Sequence, residues 1–139
     1  MTHDDFHFIK HFTAEEIMST GASLASVQYD TIHYLDNVRK MIGKPFRLLR
    51  GGLTTGKHSA PEHKQGKAVD FTVDGLTEAD VTYLVFTLIS CGFRGIGVYR
   101  NSIGALSFHA DTRAELATWY GTKSIGEQNW TYSKLRMQF

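Results

Sequence analysis

Cysteine occurs once in the chain, at Cys91, and that scarcity removes two kinds of architecture at the outset. No disulfide can close within the chain, and no zinc finger can be assembled from thiolates. Such a composition suits a reducing cytosol. An excess of either charge is also missing, since 15 basic and 14 acidic residues leave a formal net charge of +1. That balance sets up no field to recruit nucleic acid or an anionic membrane surface. No apolar run reaches the roughly 20 residues a membrane span requires. The opening MTHDDFHFIK puts acids where a secretory signal would carry a basic region. The expectation is a monomer made in the cytoplasm without a signal peptide, with neither nucleic acid nor membrane as partner. Repeats and low-complexity segments are lacking as well.

What is present fits one domain over residues 1–139, long enough to bury a real core. Thr13 and Glu16 in TAEEIMSTG form a capping box, and Gly21 closes a short helix. Ile32, Leu35, Val38 and Ile42 recur every three or four residues, which predicts a second helix over Val27 to Ile42 that stops at GKP. PFRLL reads as a strand. Residues 51–66 carry glycine, threonine and proline without an apolar period, a long loop of the kind that is usually functional. KAVDFTV is a strand by its β-branched and aromatic content. Thr77 and Asp80 then cap a helix through VTYLVFTLIS to Gly92. FRGIGVY and ALSFHADT read as a hairpin joined by RNSIG. A short helix is expected around RAELATWY, followed by an aromatic-bearing tail from Gly121 to Phe139. The fold class is α+β, with N-terminal helices packed on a small, mostly antiparallel sheet.

A catalytic zinc site needs three protein ligands and one open position. The sequence offers His63, Asp70 seven residues later, and His109 in the second strand of the hairpin. Gly66 allows a turn between the loop and the strand, so that His63 and Asp70 can converge. Strand alternation sets Asp70 opposite Val69, Phe71 and Val73, and puts Ser107, His109, Asp111 and Arg113 on one face. Spacing alone suits hydrogen-bonding histidines as well as metal ligands.

EHKQGKAVDF resembles the His-x-x-Gly-x-Ala-x-Asp signature of peptidase family M15, which includes D-alanyl-D-alanine carboxypeptidases and phage endolysins. GIGVYRNSIGALSFHADTR is similar to the closing segment of that group, where a glycine-rich strand leads to His-x-Asp-x-Arg. HFTAEEI resembles its N-terminal entry, so the likeness spans roughly residues 11–120. It implies a hedgehog/DD-peptidase-like fold, with Zn2+ held by His63, Asp70 and His109. The implied activity is hydrolysis of peptide bonds in peptidoglycan stems, by a carboxypeptidase or an endopeptidase. Three departures stand out. Pro61 occupies a position where the family has serine, Arg50 is displaced from the place of a carboxylate-binding arginine, and SIGALSFH contains no glutamate.

The remaining roles stay open between chemistry and structure. Asp111 is either the catalytic base or the carboxylate that orients a ligand imidazole. Glu62 is the other acid available as base, or a solvated loop residue. Arg50, Lys57 and Arg113 are candidate carboxylate binders or ordinary surface cations and ion pairs. His58 is either an alternative ligand, a substrate contact or, as the reading the sequence favours, loop decoration. Trp119, Tyr120, Trp130 and Tyr132 either line a cleft or pack over the sheet. The compact length suits a phage lysin released through a holin, or a domain of a virion working beside other virion proteins. The rival expectation is a non-catalytic zinc-binding structural or wall-binding module of the same fold, such as a phage assembly component.

Overall fold

The structure is a computed structural model that describes residues 1–123 and 129–135. Helix α1 (Ala14–Ser19) begins at Thr13, whose hydroxyl accepts the Glu16 N–H while the Glu16 carboxylate accepts the Thr13 N–H, each at 3.2 Å. Helix α2 (Tyr29–Ile42) buries Ile32, Leu35 and Val38 on one face and ends at Gly43 in the left-handed region. It starts two residues later than its apolar period predicts. Val27 is extended, and the Gln28 N–H is drawn off to the Gly66 carbonyl at 3.0 Å. Asp36, buried on α2, accepts the backbone N–H groups of Lys10 and His11 at 3.0 and 2.7 Å. That pair of bonds fixes the N-terminal segment so that Ile9 and Phe12 enter the core. Helix α3 (Val81–Cys91) packs against α2 and buries Leu84, Val85 and Leu88. Among the described residues no helix is long and apolar enough to cross a membrane.

The helices cover one face of a six-stranded sheet. Its strands are β1 (Phe46–Leu48), β2 (Ala68–Val73), β3 (Gly95–Arg100), β4 (Leu106–Asp111), β5 (Ala117–Thr122) and β6 (Thr131–Lys134). Their spatial order is β1-β2-β4-β3-β5-β6, antiparallel except for the β3–β5 pair. The architecture is therefore α+β with a mixed sheet. β3 and β4 form the expected hairpin, whose turn closes when the Asn101 side-chain oxygen accepts the N–H groups of Ile103 and Ala105. Val69, Phe71, Ile96, Val98, Phe108 and Ala110 are buried in the core with the helices. Register then places Asp70 beside His109, His109 beside Gly97, and Gly97 beside Trp119. These four residues make one row across β2, β4, β3 and β5, on the face away from the helices.

RAELATWY is not a helix, in contrast to its sequence expectation. Its second half is β5, parallel to β3 with Ile96 opposite Thr118 and Val98 opposite Tyr120. Thr118, Trp119 and Tyr120 are β-branched or aromatic, and the open edge of β3 offers them a ladder that an isolated two-turn helix could not match. Of the tail expected from Gly121 onward, Gly121 and Thr122 complete β5 and Thr131–Lys134 pair with it as β6. Residues 124–128 and 136–139 of that tail lie outside the described residues.

Gly66 holds the loop to the helical layer. Its φ is +73°, and a Cβ there would stand 2.2 Å from the Ser26 carbonyl oxygen. Gly66→Ala should therefore lower stability by roughly 2 kcal/mol or more through combined strain and backbone clash. Urea denaturation of the two proteins checks this, and an unchanged midpoint would show that the loop is not anchored there.

Candidate metal centre

Loop 51–66 is folded onto its surroundings despite its lack of regular structure. Gly51 N–H donates to Thr20 O at 2.8 Å, Asp70 N–H donates to Gly52 O at 2.8 Å, and Leu53 is fully buried. A turn over Ala60–His63 and a second bond from Gly66 N–H to His63 O then deliver His63 to the sheet. His63 is buried under the loop, and Asp70 and His109 come up from adjacent strands to meet it.

The hydrogen bonds behind each imidazole fix which nitrogen faces inward. His63 Nδ1 lies 2.7 Å from the Leu53 carbonyl, an acceptor only, so Nδ1 carries the proton and Nε2 presents a lone pair. His109 Nε2 lies 2.6 Å from Asp111 Oδ2, so its Nδ1 presents the lone pair. His63 Nε2 and His109 Nδ1 are 3.1 Å apart. Asp70 Oδ1 stands 3.3 Å from the first and 3.1 Å from the second. Three acceptor atoms thus converge with no donor among them, an arrangement that requires a cation or an added proton.

His58 adds a fourth group. His58, His63 and Asp70 each offer one donor atom within 4.8 Å of the others, and this set could hold a metal ion. Ring orientation decides between His58 and His109 as the second imidazole. An ion bound through a ring nitrogen lies in the plane of that ring, so two ligand rings must have planes that meet at the ion. The His63 and His109 rings are inclined at 62° and satisfy this. Those of His58 and His63 are stacked 3.5 Å apart at only 15°, so their planes run past each other. His58 is held there by the Gly51 and Thr55 carbonyls, 2.7 and 2.8 Å from its Nε2. Its Nδ1 faces Asp70 Oδ2 at 3.6 Å. The donor set the geometry favours is His63, Asp70 and His109, with His58 as a wall beside it.

Charge around the set is organised in layers. Burial pushes the Asp70 carboxyl up, but the hydrogen bonds it accepts once an added proton sits on His109 Nδ1 or His63 Nε2 outweigh this and hold the group at about 2. Burial also pushes Asp111 up, and the Arg113 guanidinium and His109 more than reverse this, keeping it well below the usual carboxylate range. His109 is depressed by burial and raised further by Asp111 and Asp70, for a net upward shift. Asp111 is fully buried, with Arg113 donating from its backbone N–H, Nε and Nη2 at 3.0, 2.8 and 2.6 Å. All of its accepting capacity is spent on His109 and Arg113. It orients the imidazole from behind, the second of the two roles open to it in the sequence.

A cleft of about 680 Å³ opens over the three donors. Lys57 and Arg113 line it and Arg50 does not, since Arg50 is exposed at the turn after β1. Arg113 has its guanidinium occupied by Asp111 and lies 5.1 Å over the Trp119 ring. Glu62 lines the cleft too, with Oε2 buried and lacking a hydrogen-bond partner. The nearest cation to it is Arg113, 3.9 Å away. Trp119, Trp130 and Tyr132 form the opposite side, while Tyr120 faces the other surface of the sheet and bonds Arg100. Sequence reasoning overlooked Tyr99, which also lines the cleft. Its signal was the alternation in GIGVYR, which puts Gly95, Gly97 and Tyr99 on the face of His109. Compared with family models, curated proteins and solved structures, the chain finds no match.

Three outcomes are expected where this set holds a metal ion. His63→Ala or His109→Ala should abolish stoichiometric uptake of a divalent transition metal, measured by competition with a chromophoric chelator. Asp111→Ala should weaken uptake roughly 10- to 100-fold, because the imidazole loses the group that orients it. Uptake should also fall as pH drops and protons compete for the imidazole lone pairs. Asp70, held at about 2, stays ionised through that range, so the loss on acidification belongs to the histidines.

Proposed function

We propose that the chain is a zinc-dependent peptidase domain of the M15 type, with a hedgehog/DD-peptidase-like fold, that hydrolyses peptide bonds in peptidoglycan stems. The observation that carries this reading is the convergence of the His63, Asp70 and His109 lone pairs at the floor of an open cleft. Tetrahedral zinc with bonds of about 2.0–2.1 Å separates neighbouring ligand atoms by about 3.3 Å, and the three separations here are 3.1, 3.1 and 3.3 Å. Two imidazoles and a carboxylate, each imidazole backed by an acceptor, form a donor set that suits zinc. The order of the two motifs along the chain gives the same assignment.

Bound zinc would supply a water of lowered pKa and polarise the scissile carbonyl. The protein's part is to place the donors, keep His109 in one tautomer through Asp111, and provide a base. Glu62 is that base: its Oε2 is buried at the cleft without a hydrogen-bond partner, with Arg113 as an ion-pair neighbour at 3.9 Å, whereas the carboxylate of Asp111 is committed to His109 and Arg113. Taking a proton from the attacking water and passing it to the leaving amine is the work such a carboxylate performs. Lys57, on the cleft wall, is the cation left free to meet a substrate carboxylate. Delivery as a phage lysin through a holin, or on a virion, belongs to the same proposal.

Zinc-loaded protein incubated with purified peptidoglycan should release D-alanine or expose new amino termini, and the product distinguishes a carboxypeptidase from an endopeptidase. Glu62→Gln should reduce kcat by about 10²- to 10⁴-fold while zinc stoichiometry stays at one. Full turnover in that variant would remove Glu62 from the mechanism. Stoichiometric zinc with no cleavage across several wall types would instead identify the non-catalytic module.

A further inference from the structure

We propose that the aromatic side of the cleft is a saccharide subsite, which holds a pyranose of the glycan strand while the attached stem peptide lies over the metal centre. This rests on the reading of the substrate as peptidoglycan, although the subsite itself needs no metal. Two glycines make the surface. Gly97 separates His109 from Trp119 in the row across the sheet, and a Cβ there would stand 2.4 Å from Trp119 Nε1. A Cβ on Gly121 would stand 2.7 Å from Tyr99 Cδ1. Trp119 and Tyr99 therefore lie across bare strand backbone, in the space that side chains would otherwise take. Trp119 Nε1–H donates to Tyr99 Oη at 2.6 Å, which locks the two together and leaves the Tyr99 hydroxyl proton to donate elsewhere.

Trp130 and Tyr132 extend this surface from the edge of the sheet. Their rings meet Tyr99 at centroid distances of 5.1 and 6.4 Å and at 66° and 83°. Rings in edge contact at those distances leave no room for a cation to enter between them, so the cluster is a surface and not a cage. Lys123 lies over the Trp130 ring at 5.7 Å, and Tyr132 is 57 % exposed. The chemistry changes along the cleft: His63, Asp70, Glu62 and Lys57 gather at one end, and aromatic faces with hydroxyl and indole edges at the other.

A stem peptide is built from alanine with acidic and diamino residues, so it presents methyl groups and charges. It has no broad apolar face to cover these rings. The pyranose of the same polymer does, since its C–H face packs on the negative face of an aromatic ring while its hydroxyls reach polar tips such as Tyr99 Oη. A cleft of about 680 Å³ sits within the roughly 300–1,000 Å³ range of ligand sites.

The probe is a tetramer of N-acetylglucosamine, titrated by calorimetry into metal-free protein. Saturable binding is expected, weakened at least tenfold in Trp130→Ala and Tyr132→Ala. Tyr132→Phe, which keeps the ring, should retain it. Both positions lie outside the core, and circular dichroism with zinc uptake verifies that the variants are folded. No saturable binding in the wild-type protein, or equal affinity in the alanine variants, overturns the subsite. So does a free stem peptide that binds with the same dependence on Trp130 while the tetramer does not bind. Failure of the peptidase reading shows separately, as absent zinc uptake or absent wall cleavage.

Discussion

The pairing of Asp70 with His109 across β2 and β4 is the constraint on which the centre depends. A carboxylate and an imidazole stand directly opposite on one face in only one register, because a slip of either strand by one residue would turn its own side chain into the core and a slip by two would part the pair. That register is held by the apolar residues on the opposite face, Val69, Phe71, Phe108 and Ala110. Core packing thus sets the register that brings the polar row together. The buried Asp111–Arg113 pair stiffens the arrangement from behind. A buried ion pair contributes little net stability, but here it fixes one imidazole nitrogen as donor and so leaves the other as acceptor.

Much of this was legible in the sequence because it follows from period-two alternation and capping chemistry. Thr13 with Glu16, the stop at Gly43, the β3–β4 hairpin and the turn at Gly66 are local features, and each forms as its residues suggest. Alternation also put His109, Asp111 and Arg113 on one face. What failed was what depends on distant partners. RAELATWY suggests a helix because nothing near it in sequence reveals the exposed edge of β3, and a parallel pairing carries no turn signal. Arg50 and Arg113 look alike as cations in the sequence. Only the fold shows that one is exposed away from the cleft and the other is consumed by Asp111. His58 looked incidental because its place is set by the Gly51 and Thr55 carbonyls, acceptors that no pattern of side chains announces.

The cleft joins two kinds of support. Its charged end takes Asp70 and His109 from β2 and β4 of the sheet and His63, Glu62 and Lys57 from loop 51–66. Its aromatic side takes Tyr99 and Trp119 from β3 and β5, which are paired on both sides, and Tyr132 from the edge strand β6. The two ends of the cleft are therefore held by different parts of the fold, one by a loop laid on the sheet and the other by the strands themselves.

The route by which His63 reaches the floor has a mechanical consequence. Asp70 and His109 belong to the sheet, but the loop bearing His63 is tied through Gly66 to Gln28 and Thr31, at the head of α2. An ion shared by the three would therefore act as a cross-link between the two layers of the fold. It would restrain the layers from sliding and join two residues separated by 46 positions along the chain. Such an ion would then serve as a rivet, making the order of the loop and the integrity of the domain depend on the occupancy of a single site.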